Sequence, residues 1–169
     1  DVCCQLPPPP KSRKVSAYQP PSLPDDLPWP LQIGILTVSD RAAAGEYKSG
    51  DLSGPAVQRA VEALAPDVSF TTAIVPDETD QIQAQLNDWK DQQHIVLTTG
   101  GTGMAARDTT PEATQAVLDV ELQGLMHFIT TECSAIQPLA ALTRGTAGSI
   151  GKTIVANLPG NPAAVEQMV

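Results

Sequence analysis

Two hydrophobic spacings alternate along residues 31–169. Gln32-Ile-Gly-Ile-Leu-Thr-Val-Ser39 is an almost unbroken β-rich run, the pattern of a strand covered on both faces. After Gly54-Pro55 the apolar positions Val57, Ala60, Val61 and Leu64 recur at helical spacing. Val68 to Val75 reads as a second strand, ended by Pro76-Asp77-Glu78. A helix capped by Thr79 follows, with Ile82, Leu86 and Trp89 on one face. His94 to Thr99 is a third strand, and Ala113, Ala116, Val117 and Val120 mark the helix beyond it. Thr153-Ile-Val-Ala-Asn157 is a later strand, and Leu158-Pro-Gly-Asn-Pro162 turns into a last helix. Strands alternating with helices predict an α/β domain of three layers, a mainly parallel sheet flanked by helices. In such sheets ligands bind beyond the carboxyl ends of the strands. Asp40, Asp77, Glu78, Asp108 and Asn157 all fall just there.

The third strand feeds the run Leu97-Thr-Thr-Gly-Gly-Thr-Gly-Met-Ala-Ala-Arg-Asp-Thr-Thr-Pro-Glu112. Gly100, Gly101 and Gly103 let a ligand approach bare backbone, and successive amide N–H groups in such a turn make a concave anion site. Thr109 or Thr110 suits the cap of the next helix, Pro111 its first turn, and Glu112 the third position of a capping box. A phosphate-sized cradle and a carboxylate, Asp108, thus stand side by side. By contrast, Gly145-Thr-Ala-Gly-Ser-Ile-Gly-Lys-Thr153 only looks like a P-loop. Thr146 stands where its first glycine belongs, and the segment precedes a strand instead of opening a helix. It reads as a loop serving the site.

Composition divides the chain near residue 30. Nine of the 16 prolines lie in residues 1–30, which read as a flexible, extended arm. Trp29 is expected to pin its end against the domain formed by residues 31–169. With 41 % hydrophobic residues, the chain has enough apolar material for a core. A net charge of −9 makes nucleic acid and anionic membranes poor partners, so bound phosphates need local amides, basic groups or a divalent metal. No apolar run approaches membrane-span length, and no secretory signal is read. Three cysteines, Cys3, Cys4 and Cys133, in no metal-ligand or disulfide spacing point to a reducing compartment, the cytoplasm. His94 and His127 have no ligand partners at metal-site spacing. Trp89 and Phe128 suit helix packing or subunit contacts.

Six collinear segments resemble the molybdopterin adenylyltransferase family, the Mog/MoaB type also found as the gephyrin G domain. They are Ile35 to Gly45, Ser53-Gly-Pro55, Val75-Pro-Asp-Glu78, Leu97 to Glu112, Leu142-Thr-Arg144 and Asn157-Leu-Pro-Gly-Asn-Pro162. Together they cover essentially all of residues 31–169. The resemblance implies a molybdopterin-binding-domain-like fold and transfer of AMP from Mg-ATP to the terminal phosphate of molybdopterin, releasing pyrophosphate. It implies Asp108 and Asp77 as catalytic carboxylates that hold Mg²⁺. Asp40, Glu78, Gly100, Gly101, Thr102, Gly103, Asn157, Pro159 and Gly160 are then substrate-binding candidates, and Thr143 and Arg144 line the pterin side. ATP and molybdopterin are the implied substrates. A homotrimer and other molybdenum cofactor biosynthesis proteins are the implied partners.

Two positions depart from the family pattern. A family serine falls on Cys133, a weaker hydrogen-bond donor. A frequent family arginine is Ile150 here, so its anion contact is expected from Arg144 or Lys152. The departures keep a second function in view, a non-catalytic molybdopterin carrier or scaffold. Retention of Asp77 and Asp108 favours the enzyme. The related insertase ranks third, because this chain has Gly100-Gly-Thr-Gly103 in place of a Gly-Gly-x-Ser-x-Gly turn.

Overall fold

The computed structural model describes residues 30–46, 51–65 and 67–161. The Pro-rich arm up to Trp29 and the helix expected after Asn161 lie outside them. Six strands form one sheet: β1 (Leu31–Val38), β2 (Val68–Val75), β3 (Ile95–Thr99), β4 (Val120–Glu121), β5 (Ala147–Ile150) and β6 (Thr153–Leu158). Their order is β2-β1-β3-β6-β5-β4. β2, β1, β3 and β6 run parallel, and β5 lies antiparallel between β6 and β4.

Strand period 2 puts successive β1 side chains on opposite faces. Leu36 and Val38 meet Ile82, Leu86 and Trp89 of α3 (Thr79–Trp89), together with Ala113 of α4 (Thr110–Gln115). Ile33 and Ile35 meet Ala56, Val57 and Val61 of α2 (Ser53–Leu64), the helix after the single turn α1 (Asp40–Ala43). On that second side, Met126 of α5 (Gln123–Ile136) covers Ala147 and Ala156. The three-layer α/β expectation therefore holds. β1 is buried on both sides, which explains its unbroken apolar run. β2 is an edge strand and is largely exposed between its ends.

Several local expectations give way to tertiary contacts. Leu64 is 60 % exposed, because α2 turns Ala56 inward in its place. Thr79 is the first residue of α3; Glu78 precedes it, and no side chain caps the helix. The helix after Asp108 is only six residues long, and Val120 is an exposed residue of β4. The capping box does not form: Thr109 makes no cap bond, and Glu112 pairs with Arg144. Gly145–Thr153 is not a loop at the site. Ala147–Ile150 and Thr153–Leu158 are joined by a tight turn at Gly151-Lys152, at the amino-terminal edge of the parallel strands.

Candidate active site at the carboxyl edge of the sheet

The chain crosses one face of the sheet between β1 and β2 and the other between β2 and β3. A crevice opens between β1 and β3, where the winding reverses. The turns after β1, β3 and β6 lie backbone against backbone there. A Cβ on Gly100 would sit 2.2 Å from the Val38 carbonyl oxygen, and one on Gly160 would sit 3.1 Å from Gly100 Cα. Gly101 has φ +63°, in the left-handed region glycine tolerates, and a Cβ there would lie 2.2 Å from Thr110 Oγ1. Hydroxyls tie the layers together: Thr99 Oγ1 donates to Pro159 O (2.7 Å) and Ser53 Oγ to Gly160 O (2.9 Å).

Two cavities flank this stack. The first, about 360 Å³, is polar, with Ser39, Asp51, Ser53, Asp77 and Thr99 in its wall. The second, about 480 Å³, has a more apolar wall that includes Cys133, Leu139, Leu142, Thr143 and Pro159. Gly101, Asp108 and Gly160 line both. The two chambers therefore meet at one carboxylate and two bare backbone positions.

Asp77 and Asp108 each keep one carboxylate oxygen without a hydrogen bond among the described residues. Asp77 Oδ2 accepts from the Asp40 amide at 2.8 Å, and Asp108 Oδ2 from the Ala105 amide at 2.8 Å. Burial pushes the Asp77 carboxyl above its ordinary range; the Asp40 amide opposes the shift, and the charges of Asp40 and Asp108 reinforce it. Asp40 shifts the other way, held down by hydrogen bonds from the Arg107 guanidinium and then from the Asp77 amide. Among the described residues no three acidic, His or Cys side chains form a metal cage. Two carboxylates with free oxygens beside a phosphate-sized cavity suit Mg²⁺ arriving on a phosphate, since that ion takes one or two carboxylates and keeps substrate oxygens and waters.

The structure brings together Asp77, Asp108, Gly100, Gly101, Thr102, Gly103, Thr143, Pro159 and Gly160, all in the cavity walls. Four expected residues lie elsewhere. Asp40 and Glu78 line neither cavity and are engaged by Arg107. Arg144 is a strut of the glycine-rich run: its Nε donates to Gly103 O (2.7 Å), its Nη2 to Asp108 O (2.6 Å), and its Nη1 pairs with Glu112. Asn157 is fully buried behind the turn. Its Nδ2 donates to Thr98 and Thr114 hydroxyls, and its Oδ1 accepts from the Thr146 amide. Nor do Ile150 and Lys152 supply an anion contact. Ile150 is a core residue, and Lys152 sits in the hairpin turn at the opposite edge, its amide bonded to Asp91. Cys133 does line the second cavity, and burial, with the charge of Glu132, pushes its thiol up.

Two residues that hold the site's loops were given no role in the sequence reading. Asp51 accepts from the Thr37 hydroxyl (2.7 Å) and from the Ser53 amide (2.9 Å) at the start of α2. Its signal, an Asp two residues before Ser53-Gly54-Pro55, was available as a cap. Arg107 had no local signal at all. Its partners stand 67 and 29 positions away.

A crevice at a topological switch point, a bare-backbone turn, one carboxylate shared by two chambers and a second in the wall of the first define an α/β domain with a cleft suited to an anionic ligand. The sequence profile of the probable molybdopterin binding domain family matches residues 34–169. The chain belongs to that family, and with it to molybdenum cofactor biosynthesis. It is 40 % identical over 139 residues to the molybdenum cofactor synthesis protein cinnamon of Drosophila melanogaster, covering 81 % of this chain but only 23 % of cinnamon. It is also 40 % identical over 140 residues to the molybdopterin adenylyltransferase of Haemophilus influenzae, covering 81 % and 70 % of the two chains. Its fold superposes on the molybdopterin biosynthesis enzyme MoaB of Thermus thermophilus with a TM-score of 0.73 and 39 % identity, covering 82 % and 86 %. Among the described residues no helix is long and apolar enough to cross a membrane.

Proposed function

We propose that the chain is a nucleotidyltransferase that moves AMP from ATP to the terminal phosphate of molybdopterin. The observation that carries this reading is the pair of chambers meeting at Gly101, Asp108 and Gly160. ATP takes the polar chamber and molybdopterin the more apolar one. The pterin phosphate then reaches the α-phosphorus at the joint. A phosphate oxygen attacks that phosphorus, the bond to the bridging oxygen of the β-phosphate breaks, and pyrophosphate leaves. The attacking group is already an anion near neutral pH, so no strong base is needed. Alignment of two anions and neutralisation of their charge carry the rate.

The amides around Gly100 to Gly103 bind phosphate oxygens, and Asp77 and Asp108 are the residues that would hold Mg²⁺. When bound there, Mg²⁺ would supply positive charge to offset that of the phosphates. Thr143 and Cys133 face the pterin. Val120 and Phe128, each 55 % exposed and apolar, support association of copies of this domain, a homotrimer. The same reading puts the chain in the cytoplasm beside other cofactor-building proteins.

Single-turnover mixing of the protein with molybdopterin, ATP and Mg²⁺ tests this. Adenylylated molybdopterin should form, and Asp108→Asn should slow its formation by roughly 100- to 1,000-fold, the scale of losing one electrostatic group at a reacting centre. Tight binding of both ligands with no product from the parent protein would make the domain a molybdopterin carrier instead.

A further inference from the structure

Arg107 holds together loops from three places in the chain. Its Nε and Nη2 grip Asp40 Oδ2 at 3.1 and 2.8 Å, Nη2 also reaches Asp40 Oδ1 at 2.8 Å, and Nη1 reaches Glu78 Oε1 at 2.9 Å. Asp40 passes the connection on. Its Oδ1 accepts from the Asp77 amide at 3.0 Å, and its own amide donates to Asp77 Oδ2 at 2.8 Å. The remaining Asp77 oxygen, Oδ1, is left beside Gly101, 3.0 Å from where a Cβ on that glycine would stand. The residue after Arg107 is Asp108, which lines both chambers, whereas Arg107 lines neither. One dipeptide therefore carries a cavity carboxylate and, next to it, the group that grips the loop holding the other.

We propose that Arg107 is a positioning residue that sets the separation of Asp77 and Asp108 through Asp40, and with it the affinity for a phosphate-bound divalent cation. The inference rests on the nucleotide reading above. Asp40 and Glu78 serve here as the anchors of the clamp and not as substrate ligands. A two-pronged guanidinium grip fixes direction as well as distance, which a single ammonium cannot do. The pairs are more than one-third exposed, with Arg107 at 56 % and Asp40 at 47 %, so their weight lies in geometry and little of it in global stability. A direct phosphate contact by Arg107 is the competing role. It would use a guanidinium N–H that the two carboxylates leave over, such as the second on Nη1.

The test uses Arg107→Met, Asp40→Asn and the double variant, first without any ligand. Hydrogen exchange at the Asp40 and Asp77 amides should quicken about tenfold in Arg107→Met, with the amides of β1, β3 and β6 unchanged. Unchanged exchange at those two amides overturns the clamp. Calorimetric titration with ATP then separates the roles. With Mg²⁺ present, each single variant should bind ATP about tenfold more weakly, and the double variant no worse than either. With the metal chelated, all should bind as the parent does. Equal weakening of Arg107→Met with and without Mg²⁺, beside a parent-like Asp40→Asn, overturns the clamp and makes Arg107 a phosphate ligand. Faster exchange in a protein that binds no ATP in any form upholds the clamp and overturns the nucleotide reading instead.

Discussion

The two edges of the parallel sheet use the same parts to different ends. At the amino edge, Gly151 turns the β5–β6 hairpin at φ +58°, with the Asp91 carboxylate 2.4 Å from where its Cβ would be. At the carboxyl edge, Gly101 turns at φ +63°, with Asp77 3.0 Å from its Cβ position. Every one of these acids accepts a backbone amide through one oxygen; the difference is in what stands beside the other. Asp91 Oδ1 is taken by the Lys152 amide (2.8 Å), and Asp119 by the Gly151 amide (2.6 Å), with Lys90 3.8 Å away. These acids close a hairpin. Asp77 and Asp108 each spend one oxygen on the backbone and keep the other beside a cavity. An unspent oxygen is common to both edges, so an aspartate next to a glycine turn marks a site only when a cavity adjoins it.

The largest effect that could break this contrast comes from adding one methyl at each edge. Gly101→Ala and Gly151→Ala should each cost roughly 1–3 kcal/mol of stability, from left-handed strain and a short contact. Only the first should abolish adenylyl transfer per folded molecule, because its methyl stands in the wall the chambers share and points at Thr110 and Asp77. Denaturant unfolding alongside single-turnover assays checks both, and equal activity losses would erase the distinction. A smaller effect is expected from Cys133→Ser. A stronger donor in the second chamber should tighten molybdopterin binding a few-fold, about the worth of one hydrogen bond, and leave ATP binding as it was. Parallel tightening of both ligands would mean that the chambers are not separate subsites.

The finest test compares Asp40 with Asp77 by carbon-detected titration of their carboxyls. Asp40 should titrate below the ordinary 3.8 and Asp77 above it. Their effects on stability then have opposite signs. The Asp40 contribution is present above its unfolded value and is lost as pH falls through its lowered folded value. Asp77 binds its proton more readily when folded, so its contribution grows as pH falls through its raised value and is lost as pH rises. Arg107→Met should move Asp40 upward.

The legible parts of the chain were those with local causes. Ile82, Leu86 and Trp89 announce α3 because one helical face alone packs on the sheet. The glycine run announces its turn because φ at Gly101 is a property of that residue. The three-layer architecture followed from strand and helix alternation. α5 was not readable, since Phe128 and Leu125 are exposed on it and blur any single apolar stripe. The short strand Ala147–Ile150 is built partly of small residues, and its pairing with β6 carries Lys152 to the far edge. Arg107 and Arg144 hold partners 67 and 36 positions away, a relation that no spacing encodes. Glu112 meets every local requirement of a capping box and is drawn off by Arg144. Asn157 follows the rule for strand ends but is consumed by the three polar groups around it.

The partition between the chambers is made by Gly101, Asp108 and Gly160, which line both. On the proposed reading each substrate occupies one side and is held at one address, whereas the joined product spans both. Once either half lets go, the other keeps it tethered, and the loose half faces its own chamber at an effective concentration far above that in solution. Such a product rebinds before it escapes. Departure, more than bond making, then sets the pace of turnover, and a downstream acceptor that seizes the freed half would act as the release factor.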